Sequence, residues 1–255
     1  MIDLSVLGAG YVLLLQGLFA FCRIGAFVSV SPIFGSRLVP TRVRLLIALA
    51  LTAVMLPSLP QQPESFFSLS PAFWLRIASE VLMGVALGFA TQLFFHLFVM
   101  GGQIIALQMG LGFASMFDPD NGAGVTVVGQ FYMLMVTMVF LAMKGHLVLL
   151  QFVLESYRVS TFFTPEMGGD MVELGAFMFG GALLVSLPAV TALLLVNLAF
   201  GVLTRAAPQL NIFSLGFPMT LLFGVIVLWV SSAGWLPQFD ALSLEFFALL
   251  SGRFT

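Results

Sequence analysis

Very few side chains in this chain could do chemistry. Its 255 residues include one cysteine, Cys22, two histidines, His96 and His146, and a central pair of aspartates, Asp118 and Asp120. His96 follows TQLFF and has no carboxylate three or four residues away. It reads as a helix residue with one hydrogen bond to a neighbour. His146, in MKGHL, reads as a helix-end residue. Neither belongs to an HExxH motif, a paired-carboxylate site or a triad. A lone cysteine makes no internal disulfide and no Cys-based zinc or iron–sulfur site, and in an apolar run it packs as a small hydrophobe. Asp118 and Asp120 sit in DPDNG. That is turn chemistry: Pro119 fixes φ, and Asn121-Gly122 accepts φ > 0. The competing reading of the pair is a coupling-ion site, since coupled transporters keep an ionisable group inside the membrane. The five glycines between Gln108 and Gln130 match neither GxGxxG after a strand nor GxxxxGKS/T. No catalytic residue, cofactor or metal is expected. A net charge of −2 leaves no basic footprint for nucleic acid.

Composition determines the elements that hold these residues. The chain is 60% hydrophobic and 8% charged, with mean hydropathy +1.13, against about 25% charged in soluble domains. It cannot cover itself with polar surface and needs lipid or protein around most of its faces. Charge-free stretches at about 4–22, 45–63, 81–117, 121–143, 174–204 and 206–239 predict six hydrophobic helical segments arranged as hairpins. The fold class is an all-α membrane protein; the strict alternation of a β-barrel is absent. The N-terminus, with Asp3 and no basic stretch ahead of its apolar run, does not read as a cleaved signal peptide.

Loop charge suggests an orientation. The first connection carries Arg37, Arg42 and Arg44, with Arg23 just before it, and the last carries Arg205. The second connection and the 144–173 connection hold Glu64, Glu80, Glu155, Glu166, Asp170 and Glu173. The positive-inside rule places odd-numbered loops in the cytoplasm and both termini outside, with Arg76, Lys144, Arg158 and Arg253 on the opposite side.

Segment lengths fit simple spans badly. Pro40 and Pro57 leave room for about 16 helical residues, roughly 24 Å against a ~30 Å hydrocarbon core. Pro32, Pro188 and Pro218 interrupt or open other runs. A subunit buried among partners and a kinked transporter bundle both satisfy this pattern. Gln92, Gln103, Gln108, Gln130 and Asn197 read as interhelical hydrogen-bonders or as a pathway lining. Gly84 and Gly88, in MGVALG, form a GxxxG that permits close helix approach.

Three stretches carry a family resemblance: CRIGAFVSVSPIFGSRLVPTRVRLLIALALT (22–52), GLGFASMFDPDNGAGVTVVGQFYMLM (110–135) and RAAPQLNIFSLGFPMTLLFG (205–224). Together, in this order and spacing, they resemble the FliR family of flagellar export-gate proteins, which also serves type III secretion injectisomes. The resemblance implies a pore subunit that builds an export gate with FliP-like and FliQ-like partners, through which unfolded proteins pass. It implies a FliP-like part at 1–170 and a FliQ-like helical hairpin with a C-terminal tail at 171–255. The location implied is the bacterial inner membrane within the flagellar basal body, with much of the assembly displaced toward the periplasm. An injectisome subunit and a small-solute transporter are the alternatives.

The resemblance also implies a loop that plugs the lumen, mapped onto Met109, Gly110, Leu111, Gly112, Phe113, Ala114, Ser115, Met116 and Phe117, with a turn at Asp118, Pro119, Asp120, Asn121 and Gly122. Met109, Leu111, Phe113, Met116 and Phe117 are apolar and deformable, so they can close a pore by excluding water. Gly110 and Gly112 let the backbone bend without helix. Arg37, Arg42, Arg44 and Arg205 mark the cytoplasmic side, as plain anchors or as partner contacts. Leu210, Ile212, Phe213, Leu215 and Phe217 make a hairpin tip too apolar for a free loop. The resemblance names FliQ-like hairpins and an FlhB-like switch component as its partners.

Overall fold

The computed structural model describes residues 4–36, 39–60, 71–111, 125–159, 166–206 and 216–254. They form the helices α1 (Leu4–Val30), α2 (Thr41–Met55), α3 (Pro71–Gln108), α4 (Val127–Ala142), α5 (Gly145–Val159), α6 (Glu166–Ala206), α7 (Phe217–Ser231) and α8 (Trp235–Phe254). Short 3-10 turns at Leu56–Ser58 and Ser232–Gly234 extend α2 and α7. No strand occurs among the described residues. Five helical runs are long and apolar enough to cross a membrane, and the bent pair α4–α5 would make a sixth. The chain is the all-α, multi-pass membrane protein that its composition predicts.

Cutting at charges misplaces several helix ends. α1 runs through Arg23 to Val30, and α3 begins at Pro71, well before the expected 81, taking in Arg76 and Glu80. The 144–173 connection contains α5 and the start of α6, and the residues beyond 239 belong to α8. Arg23, Arg76 and Glu80 are therefore not loop charges, and the orientation argument cannot count them.

Proline and glycine set the boundaries locally. Pro71 opens α3 at a position where its missing N–H has no helical partner to lose. Pro40 precedes α2 with φ −57° and ψ 143°. Pro57 does not stop the run as expected: the 3-10 turn carries it to Ser58, 18 residues in all. That is about 28 Å, close to the ~30 Å core. Pro188 lies inside α6 without ending it. Between α4 and α5 the axis bends by 72° at Lys144, the only described non-glycine residue with positive φ, 60°. At the next residue, Gly145, a Cβ would fall 2.6–2.8 Å from the Phe140 ring.

The chain divides into two compact units. The first comprises Met1–Leu93, Phe140–Leu174 and Phe247–Thr255. Here Phe19 of α1 meets Phe73 of α3 at 5.5 Å between ring centroids, with Val12, Leu15 and Ile77 packed around them. Further along α3, the GxxxG pair takes α1 at backbone range. A Cβ on Gly84 would collide with the Arg23 carbonyl oxygen and lie 2.8 Å from Ala26 Cβ; one on Gly88 would lie 2.8 Å from Val30 Cβ. Phe152 of α5 stacks on Phe247 of α8 at 5.9 Å.

The second unit comprises Phe94–Val139 and Gly175–Phe246. Its centre is aromatic: Phe94 stacks on Phe246 at 4.7 Å, and Phe98 packs against Trp235 at 5.4 Å and Phe239 at 5.6 Å. Glycine notches bring its helices together. A Cβ on Gly102 of α3 would sit 3.0 Å from Gly129 Cα of α4, and one on Gly101 would sit 3.2 Å from the Ala182 carbonyl of α6.

The two kinds of helical glycine should respond oppositely to alanine. Gly84→Ala must push backbone apart and should cost about 1–3 kcal/mol, as overpacking does. Gly10 of α1 faces open space, so Gly10→Ala should gain about 0.5–1 kcal/mol of helix preference. Unfolding of the purified protein in detergent measures both; equal effects would contradict the packing assigned to Gly84.

Candidate functional site

The central stretch enters the described structure at its first three residues. Gly112, Phe113, Ala114, Ser115, Met116, Phe117, Asp118, Pro119, Asp120, Asn121 and Gly122 lie outside the described residues. Met109, Gly110 and Leu111 terminate α3 in a Schellman cap. Gly110 N–H donates to the Leu107 carbonyl and Leu111 N–H to the Ala106 carbonyl, both at 3.0 Å. Gly110 has φ 84°, which only glycine adopts without strain. At Gly110 the backbone therefore leaves the helix by a bend that a Cβ would strain. Met109 is buried, with its side chain lying where a Cβ on Gly224 of α7 would be.

In the first connection the three arginines separate. Arg37 lies outside the described residues. Arg42 is exposed in the first turn of α2. Arg44 is turned onto its own chain: Nε donates to the Val39 carbonyl at 3.1 Å and Nη2 to the Ser36 carbonyl at 2.7 Å. One guanidinium fork thus satisfies two carbonyls ahead of α2. At the other end, Arg205 is exposed in the last turn of α6, where the helix dipole favours a cation. Phe217 begins α7, while Leu210, Ile212, Phe213 and Leu215 lie outside the described residues. Phe200 and Phe223 approach to 6.2 Å, so α6 and α7 pair close to their connection.

The polar residues scattered through the apolar runs differ in exposure and partners. His96 is exposed on α3. His146 is half-buried, with Nδ1 enclosed. Gln130 reaches back to the Val125 carbonyl at 3.3 Å, within its own segment. Among the described residues no three His, Cys, Asp or Glu side chains gather as a metal site.

The feature that sequence reasoning misses is a buried charge cluster in the first unit. Arg23 of α1 donates through Nε to Glu80 of α3 at 2.6 Å, and Arg76, one turn earlier on α3, reaches the other carboxylate oxygen at 2.6 Å. All three side chains are at most 1% exposed. From α5, Ser156 accepts from Arg23 Nη1 at 2.9 Å, and the Tyr157 ring lies 4.0 Å from the Arg23 guanidinium carbon. The Tyr157 hydroxyl donates to the Ala20 carbonyl at 3.1 Å. Charge-assisted bonds, a cation–π contact and satisfied hydroxyls thus link α1, α3 and α5. The available signal was the spacing of Arg76 and Glu80, four residues apart in an otherwise apolar run.

Long apolar helices, a buried ionic joint and tight glycine crossings define a polytopic helical membrane protein. The chain belongs to the family of bacterial export proteins, family 1, whose profile it matches over residues 14–246. It is similar to the flagellar biosynthetic protein FliR of Escherichia coli (strain K12), 37% identical over 238 residues that cover 90% of this chain and 88% of that one. FliR of Pectobacterium carotovorum subsp. carotovorum is 37% identical over 217 residues, 84% of this chain and 82% of its own. FliR of Bacillus subtilis (strain 168) is 31% identical over 219 residues, 83% of each. The resemblance read from the sequence holds, and the chain is a member of the flagellar export apparatus family.

Five variants test the polar joints. Glu80→Gln strands two buried guanidinium groups and should destabilise by about 3–5 kcal/mol. The triple replacement Arg23→Met, Arg76→Leu, Glu80→Met should be far milder, because the stranded charges leave with the pair. Arg44→Lys should lower stability almost as much as Arg44→Ala, since an ammonium cannot fork to both carbonyls, while Arg42→Lys should be silent. Thermal unfolding in detergent reports all five variants. A harmless Glu80→Gln would remove the cluster's structural role.

Proposed function

We propose that the chain is a non-enzymatic pore subunit of the flagellar type III export gate at the inner membrane, within the basal body. With FliP- and FliQ-like subunits it forms the channel for unfolded flagellar proteins, and Met109–Phe117 with the turn Asp118–Gly122 plugs that channel when idle. The length of α6 carries this reading. Its 41 residues make about 60 Å of helix, twice the ~30 Å hydrocarbon core and too long for ordinary tilts below ~40°. The most apolar 18-residue stretch of this run has mean hydropathy 2.3, and only 22% of that stretch is buried within this chain. The stretch without a charge runs from 174 to 204, about 46 Å of helix, which is more than the ~30 Å of lipid core covers and leaves the rest for partner protein. That is the condition of a subunit in an assembly that rises from the membrane toward the periplasm.

A pore wide enough for an unfolded chain needs an apolar seal when empty. Phe113, Met116 and Phe117 supply one by dewetting the lumen, and methionine's flexibility lets it fit an irregular opening. At the cytoplasmic side, Arg37, Arg42, Arg44 and Arg205 lie at the rim. The apolar tip Leu210, Ile212, Phe213, Leu215 and Phe217 docks on neighbouring FliQ-like hairpins or on an FlhB-like switch component.

Deleting Gly112–Phe117, which leaves the cap of α3 intact, should let small ions leak across the membrane while the gate still copurifies with its partners. A membrane as tight as wild type would refute the plug. A photo-crosslinker at Phe213 should capture a FliQ- or FlhB-like protein, and the same probe at Glu166 should capture neither. No adduct at Phe213 in an export-competent strain would mean that the tip folds onto its own subunit.

A further inference from the structure

α3 ends in a residue that another helix holds in place. Met109 is 2% exposed, although the residues beside it, Gln108 and Gly110, are only half-buried. Its side chain fills a notch in α7 made by the absence of a Cβ on Gly224. An added Cβ there would lie 2.5 Å from Met109 Cε, 2.6 Å from Cγ and 2.9 Å from Sδ. One turn earlier on α7, the Thr220 hydroxyl donates a long hydrogen bond, 3.5 Å, to the Met109 carbonyl. Thr220 and Gly224 are four residues apart and so share a face of α7. Backbone and side chain of one residue are thus gripped by one helix face. Immediately beyond, the Schellman cap sets the direction in which the chain leaves α3.

We propose that Met109, Thr220 and Gly224 form a latch that positions the root of the plug. This rests on the plug reading above and adds Thr220 and Gly224 to it, as residues that determine where the plug starts. A seal made of apolar side chains works only if it stays centred, and a root displaced by an ångström or more moves every residue after it. Methionine suits the role because its thioether fills a shallow notch without strain. The notch needs glycine, because any Cβ would occupy the space of the methionine side chain rather than of backbone. Gly224→Ala therefore displaces the Met109 side chain from the notch. The latch also ties the plug's root to α7, which leads out of the hairpin tip.

The test uses cells producing the complete gate, with assembly checked by copurification of the partners. Gly224→Ala should raise the idle ion leak severalfold with assembly and export retained. Met109→Ala should raise it comparably, by removing the side chain that the notch holds. Adding Gly224→Ala to Met109→Ala should change little more, because nothing is left to evict. If both single variants assemble and stay as tight as wild type while the Gly112–Phe117 deletion leaks, the latch is overturned and the plug stands. If the deletion is tight as well, both fall. Additive leaks in the double variant would mean that the two residues act separately, which also overturns the latch. Should Gly224→Ala fail to assemble, Met109→Ala alone decides, since truncation adds no clash.

Discussion

A carboxylate that cannot reach water sets the terms for the first unit. Glu80 is fully buried, and an isolated ion in that position would cost several kcal/mol. Arg23 and Arg76 make it tolerable, but only if α1 and α3 meet in one register. The same face of α3 then supplies the means. Arg76, Glu80, Gly84 and Gly88 recur every four residues and so lie along one stripe. The first two attract α1, and the last two let its backbone come within contact of α3. Attraction without the glycines would leave the ions too far apart. Glycines without the ions would allow close packing in several registers. Ser156 and Tyr157 then bring α5 into the same joint.

The second unit achieves close packing with almost no charge. Its helices cross where glycine meets backbone, at Gly101, Gly102 and Gly129, or where glycine receives a side chain, at Gly181 and Gly224. This is the usual device of helices in lipid, where apolar burial offers little drive and close contact must replace it. Aromatic rings fill the remaining space around Phe94, Phe98, Trp235 and Phe239. The result is uneven enclosure. α3 is 67% buried over its most apolar window, whereas the α2 run and the α7–α8 run are 11% buried. Several apolar faces are thus left open to lipid or to other protein, as so apolar a composition requires.

The sequence by itself determined a good deal. Composition required a membrane protein, because a chain so apolar cannot cover itself with polar surface, and long charge-free runs without strict alternation made it all-helical. Three stretches identified the family, and among the described residues Pro40, Pro71 and Pro218 fall at the helix edges they imply. Gly84 and Gly88 also read correctly as a close approach, since a glycine pair at that spacing has few other uses inside an apolar helix. Where the reading failed, it treated charge as a mark of the aqueous loop. That rule assumes each charge meets water, and Arg23, Arg76 and Glu80 meet one another instead.

Only the tertiary structure decided those pairings. Arg23 and Glu80 are 57 residues apart, and Arg23 and Ser156 133. No local pattern reports whether such groups face each other. The same holds for Met109 and Gly224: a methionine at a helix end and a glycine in a distant helix carry no sequence mark of being one contact. Helix formation, apolar burial and turn preference are local and periodic, so a single chain displays them. Compensation of a buried charge and the filling of a notch depend on which helices become neighbours, and that choice is made only when the whole chain packs.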